Sequence, residues 1–158
     1  MICGIESLVG LLMVSWTAAF TYLEMRRYWR IHGEIYKARP EVKGVVHNHA
    51  AAVIPFGTST VALRPRYHMA GFIGRGVPIF DIRNVVGDTD MLVKTPELGA
   101  ALARTIGDKP AALMRGHGAV VVGDSLPQAV GRNYYLQMGA KLQAQANGEI
   151  AEERGACG

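Results

Sequence analysis

Cysteine is nearly absent. Cys3 and Cys157 lie one near each end of the chain. They form no CxxC or Cys/His spacing, which excludes a cysteine-built structural zinc site, and they read as reduced thiols of a cytoplasmic protein rather than as a bridge between the termini. Charge is sparse as well. Only 19% of the residues are charged, for a net charge of +4. The positive residues are scattered apart from Arg26, Arg27 and Arg30, with no nucleic-acid-binding signature beside them, so no nucleic-acid partner is expected. Internal repeats and linker-like stretches are missing, and the 158 residues read as one domain, 1–158, large enough for a real core. Ser7–Leu23 lacks any charge, but at 17 residues it sits at the short limit of a bilayer span. No basic stretch precedes it, which speaks against a signal peptide. A packing helix is expected there, with a membrane anchor as the alternative.

What the chain does have is apolar residues, 49% of the total, and a closely spaced pair of histidines. Val45-Val46 leads into His47-Asn48-His49. In a strand, residues i and i+2 share a face, so both imidazoles point the same way and Asn48 turns aside. Two neutral imidazoles can fill two corners of a divalent ion's coordination sphere. The third ligand is expected from His117, set between Gly116 and Gly118 at the tip of a hairpin. Glycine on both sides removes bulk where an ion approaches.

The remaining elements are placed by local signals. A helical pattern runs from about Leu8 to Arg39, with Ile31, Ile35 and Tyr36 on one stripe, and Pro40 ends it. Gly44–Ala52 reads as a buried strand, broken by Ile54-Pro55-Phe56-Gly57. Tyr67–Ile73 reads as one or two helical turns, Pro78–Ile82 as a short strand and Gly87–Asp90 as a loop. Thr95-Pro96-Glu97 starts a helix that Gly107 stops. Ala111–Met114 and Ala119–Gly123 form the hairpin. Ser125 and Gln128 fit a capping box for a long helix to about Ala146, with a frayed end after it.

His32-Gly33-Glu34-Ile35-Tyr36-Lys37-Ala38-Arg39-Pro40-Glu41-Val42, running into Val45–His49, resembles the class II aldolase/adducin family. Leu113–Gly118 and the capped helix after it do so too. The resemblance implies a three-layer α/β/α fold with a mainly antiparallel central sheet, commonly assembled as a homotetramer. It implies a catalytic divalent metal, zinc with manganese or cobalt as alternatives, bound by His47, His49 and His117. The middle section is most similar to family members that decarboxylate products of aromatic catabolism. Two departures stand out. Family enzymes carry a glutamate four residues before the position of His32, and here that residue is Tyr28; Glu24 and Glu34 are not equivalent. Residues 1–30 do not resemble the family's anion-binding loops and read as a divergent or shortened N-terminal segment.

Three histidines on one ion leave an open coordination position for an oxygen-rich substrate. The ion then stabilises the enolate formed when a carbon–carbon bond breaks. Aldol cleavage also needs a base, whereas decarboxylation needs chiefly a proton donor afterwards, so the Tyr28 departure tilts the expectation toward decarboxylation. Arg115 is a candidate for neutralising a substrate carboxylate, with a surface ion pair as the alternative. Tyr67 and His68 are candidate proton donors. His32 is expected to pack or cap, Asp81 and Asp88 to cap turns or orient an imidazole, and Tyr134 and Tyr135 to serve core or interface. The sequence thus reads as a cytoplasmic metal-dependent carbon–carbon lyase for a small oxygenated carboxylate or sugar phosphate. The alternative is a catalytically inactive metal-binding or interaction domain like the adducin head.

Overall fold

The computed structural model of the protein describes residues 29–156, with side chains over 29–148. The expectations for Cys3, Ser7–Leu23, Glu24, Arg26, Arg27, Tyr28 and Cys157 lie outside the described residues.

Helix α1 covers 29–38 and stops one residue before Arg39-Pro40, as proline disfavours helical backbone in the residue it follows. It buries Ile31 and Ile35 but leaves Tyr36 37% exposed, so Tyr36 falls off the expected stripe. Then come β1 (Gly44–Asn48), α2 (Ile54–Thr58), a 3-10 helix (His68–Ile73), β2 (Ile79–Phe80), α3 (Arg83–Val86), α4 (Pro96–Ile106), β3 (Ala111–Met114), β4 (Gly118–Gly123) and α5 (Leu126–Ala156). Among the described residues no helix is long and apolar enough to cross a membrane.

The sheet runs β1-β4-β3-β2. β1 and β3 flank β4 antiparallel, and β2 joins β3 in parallel. Strand alternation divides the core into two faces. Ala112, Met114, Val120 and Val122 meet Ile31 and Ile35 of α1 and Leu98, Leu102 and Ile106 of α4. Ala111, Leu113, Ala119 and Val121 meet Val53, Phe56, Ile73 and, on α5, Leu136 and Ala140. The result is the expected α/β/α layering around a mainly antiparallel sheet.

Local chemistry sets the element ends. Thr95 Oγ1 accepts the Leu98 N–H at 3.3 Å, Pro96 opens α4, and Gly107 closes it at φ +53°. Ser125 Oγ accepts from Gln128 N at 3.3 Å, while Gln128 Oε1 reaches back to Asp124 N at 2.8 Å, one residue beyond the expected box partner. Four expectations are revised. β1 ends at Asn48 rather than Ala52, since β4 turns into the hairpin there and the Asn48 carboxamide accepts the Ala50 N–H at 2.9 Å. Pro55 sits in the first turn of a short helix, which suits its fixed φ, instead of only breaking the strand. β2 keeps two residues and gives way to α3. α5 continues to Ala156 where fraying was expected from Asn147.

Candidate metal centre

β1 and the β3–β4 hairpin bring the three histidines together. His47 sits in the ladder opposite Val120, and its ring lies on the α1/α4 side of the sheet. His49 is just past the end of β1. His117 closes the hairpin turn, where its N–H donates to Met114 O at 3.0 Å. Across the 70 residues that separate His47 from His117, the fold delivers a compact group. The Nε2 atoms are 3.0 Å apart for His47–His49, 3.2 Å for His47–His117 and 2.9 Å for His49–His117. The rings meet at steep angles, 77°, 65° and 56° between planes.

Two main-chain carbonyls decide what these nitrogens can do. His47 Nδ1 lies 3.1 Å from Ala119 O and His117 Nδ1 lies 2.8 Å from Met91 O. A carbonyl oxygen only accepts, so both Nδ1 atoms carry the proton and both Nε2 atoms present a lone pair. Burial, reinforced by the neighbouring His117, pulls His47 down to about 4, and burial also lowers His117. Both rings therefore stay neutral at neutral pH. Lone pairs crowded at about 3 Å repel one another unless a cation lies among them. Zinc binds imidazole at roughly 2.0–2.1 Å, and bond angles from 90° to tetrahedral then separate ligand nitrogens by roughly 2.9–3.4 Å. The observed spacings fall in that window, so the donor set fits a divalent ion with a face left open. Among the described residues the group of candidate ligands is the three histidines alone.

The flanking glycines serve the chain more than the ion. A Cβ on Gly118 (φ +151°) would lie 2.0 Å from Asn48 O, and one on Gly116 (φ +65°) would touch the Met91 thioether at 3.1 Å. Asn48 points away from the imidazoles, as expected, and its Nδ2 donates to Asn133 Oδ1 of α5 at 2.5 Å. Sequence reasoning missed Met91 altogether. It also missed that His32, half-buried on α1 with its pKa lowered by burial, lies within electrostatic reach of His47.

The contacts of the other candidates run to partners outside this group. Arg115 Nε lies 3.4 Å from Asp81 Oδ2 and Nη1 donates to Gly57 O at 3.3 Å. Asp81 is held more tightly by Arg83, at 2.9 and 2.6 Å, and its carboxyl is drawn down to about 2 chiefly by that bond. Asp81 also caps Arg83 N at 3.1 Å, the turn-capping role, and Asp88 is exposed. Tyr67 belongs to the α5 layer. Its ring packs edge-on to Tyr135 at 6.3 Å and to His68 at 6.0 Å. Its hydroxyl is shut off from solvent without a hydrogen-bond partner, and desolvation pushes its pKa up. His68 is exposed. Tyr134, also exposed, packs on Tyr135.

The model of the Class II Aldolase and Adducin N-terminal domain matches residues 17–144. The chain belongs to the class II aldolase and adducin family. Its family relatives include the decarboxylase tropJ of Talaromyces stipitatus, 41% identical over 124 residues, covering 72% of this chain and 47% of the relative. The 3,4-dihydroxyphthalate decarboxylase of Rhodococcus jostii is 30% identical over 105 residues, covering 63% and 40%. The chain thus spans less than half the length of these curated relatives. The family fold is seen again in the crystal structure of L-fuculose-1-phosphate aldolase from Thermus thermophilus, with a TM-score of 0.61 at 23% identity, covering 74% of this chain and 59% of that one.

Proposed function

We propose that this family member is a divalent-metal-dependent carbon–carbon lyase that works as a decarboxylase. The observation that carries this reading is the group of three Nε2 atoms spaced 2.9–3.2 Å apart, two of them left with a lone pair because main-chain carbonyls hold the ring proton on Nδ1. A divalent cation held there, zinc with manganese or cobalt as alternatives, would supply Lewis-acid stabilisation of the charge that develops as the carbon–carbon bond breaks. His47 and His117 arrive neutral and pre-aimed, so nothing need be deprotonated when they bind. Arg115, two residues before His117, is the candidate for the substrate carboxylate, which would have to compete with the contacts its guanidinium makes to Asp81 and Gly57. Tyr67, which burial keeps protonated, and His68 are carried forward as the candidate proton donors, a role that needs them to reach the substrate from the ring cluster they share with Tyr135. A hydroxyl-bearing carboxylate is the substrate class to test first, because tropJ and the Rhodococcus jostii enzyme are named decarboxylases. The setting proposed is the cytoplasm, in aromatic catabolism, as a homotetramer.

Metal analysis of the purified protein, followed by carbon dioxide release from dihydroxylated aromatic carboxylates and aldehyde release from sugar phosphates, tests the reading. His47→Ala should abolish stoichiometric metal uptake. Unchanged occupancy would overturn the ligand set. A second reading, a metal-binding interaction domain of the adducin-head type, is favoured by the absence of a carboxylate from the ligand group among the described residues and by Tyr28 at the family's glutamate position. Full metal occupancy with neither product released supports it.

A further inference from the structure

His117 is oriented from outside its own hairpin. Its Nδ1 donates to Met91 O at 2.8 Å, from a residue 26 positions upstream. Met91 is the one non-glycine residue with positive φ among the described residues, at +65°. Left-handed backbone sets a Cβ against the following carbonyl, so a residue with a long side chain keeps it only where its surroundings impose it.

The surroundings do impose it. Met91 N donates to Thr89 Oγ1 at 3.2 Å, and Leu92 N donates to Asp90 Oδ1 at 3.2 Å. Asp90 is ion-paired with Lys94. Val93 is buried in the α1/α4 core, and Thr95 then caps α4. On the far side, the Met91 thioether lies against Gly116, where a Cβ would come within 3.1 Å of both Sδ and Cε. The segment is tied at each end and braced in the middle. In ordinary extended or right-handed backbone at this residue, the peptide plane turns and its carbonyl no longer faces the imidazole.

We propose that the left-handed backbone of Met91 is a positioning device for the metal centre. It aims a carbonyl at His117 Nδ1, holds the proton there and so presents Nε2 to the ion. Met91 is a positioning residue acting through His117, and the active part is its main chain rather than its thioether. The consequence for metal affinity rests on the metal reading above. The consequence for the tautomer does not.

The test compares Met91→Gly, Met91→Asn and Met91→Val. Glycine and asparagine accept φ near +65°, whereas a β-branched residue resists it. Two readouts are taken. One is the His117 tautomer in the metal-free protein, from imidazole nitrogen shifts. The other is zinc affinity by calorimetry, with cobalt absorption as a check on ligand geometry. The expected result is that Gly and Asn keep Nδ1–H and affinity near wild type. Val should shift the tautomer toward a mixture and weaken zinc about 10–100-fold, the usual effect of disturbing a ligand's outer partner. If Gly weakens binding as much as Val, the side chain is the active part and the proposal is overturned. A wild-type tautomer in the Val variant overturns it as well. If the wild-type protein takes up no metal, the lyase reading falls, while the tautomer comparison still decides the role of Met91.

Discussion

The two ends of the sheet are built differently. At one end β1 pairs with β4 through five register positions, from Gly44↔Gly123 to Asn48↔Ala119, and α5 anchors it through the Asn48–Asn133 bond. At the other end β2 pairs with β3 through two positions, and Ile79 on it is 42% exposed. The histidines are gathered at the well-held end. A ligand group needs positions fixed to a fraction of an ångström, and a five-position ladder supplies that where a two-position one does not. The lightly held end therefore has scope to vary without disturbing the imidazoles.

The strongest way to break this contrast is Gly118→Ala. The added methyl would sit 2.0 Å from Asn48 O at φ +151°, so β1 and the hairpin must part. A loss of about 4 kcal/mol or more is expected in urea unfolding, with metal uptake lost as well. A near-neutral result would mean that the junction is softer than its geometry. Next comes a pair that sits face to face. Leu113→Ala removes a side chain that is 1% exposed and should cost about 3 kcal/mol. Its register partner Ile79→Ala should cost clearly less, about 1 kcal/mol, because 42% of it is already in water. Equal losses would erase the difference between centre and edge. The last effect is a graded one, set by acid rather than by substitution. His47 is held near 4 when folded, against 6.5 when free. The unfolded chain thus binds the extra proton first, and the metal-free protein should lose stability progressively as pH falls from about 6.5 toward 4. Melting temperatures across that range check the sign. Ile79→Ala should leave the acid slope unchanged, while His47→Ala should flatten it.

Much of this was legible because its causes are local. The HxH pair needs only strand alternation, the turn at His117 only its two glycines, and α4 only Thr95, Pro96 and Gly107. The assignments of Arg115, Tyr67 and His68 rest on residue type and spacing, and their contacts run instead to Asp81, Gly57 and Tyr135. Met91 was illegible for a different reason. Every residue has a carbonyl, so no residue type advertises one aimed at an imidazole, and left-handed backbone outside glycine leaves no mark in the sequence. The early end of β1 was hidden likewise, since it depends on where β4 turns away.

The separation of His47 and His117 by 70 residues carries a consequence for how the chain finds its shape. Drawing those rings together means closing a long loop, at an entropic cost that the β1–β4 pairing offsets in the folded chain. An ion that needs all three nitrogens would therefore bind the folded chain far better than the unfolded one. Zinc titrated into the metal-free protein would act as a clasp on the finished chain, raising its melting temperature with the logarithm of ion concentration.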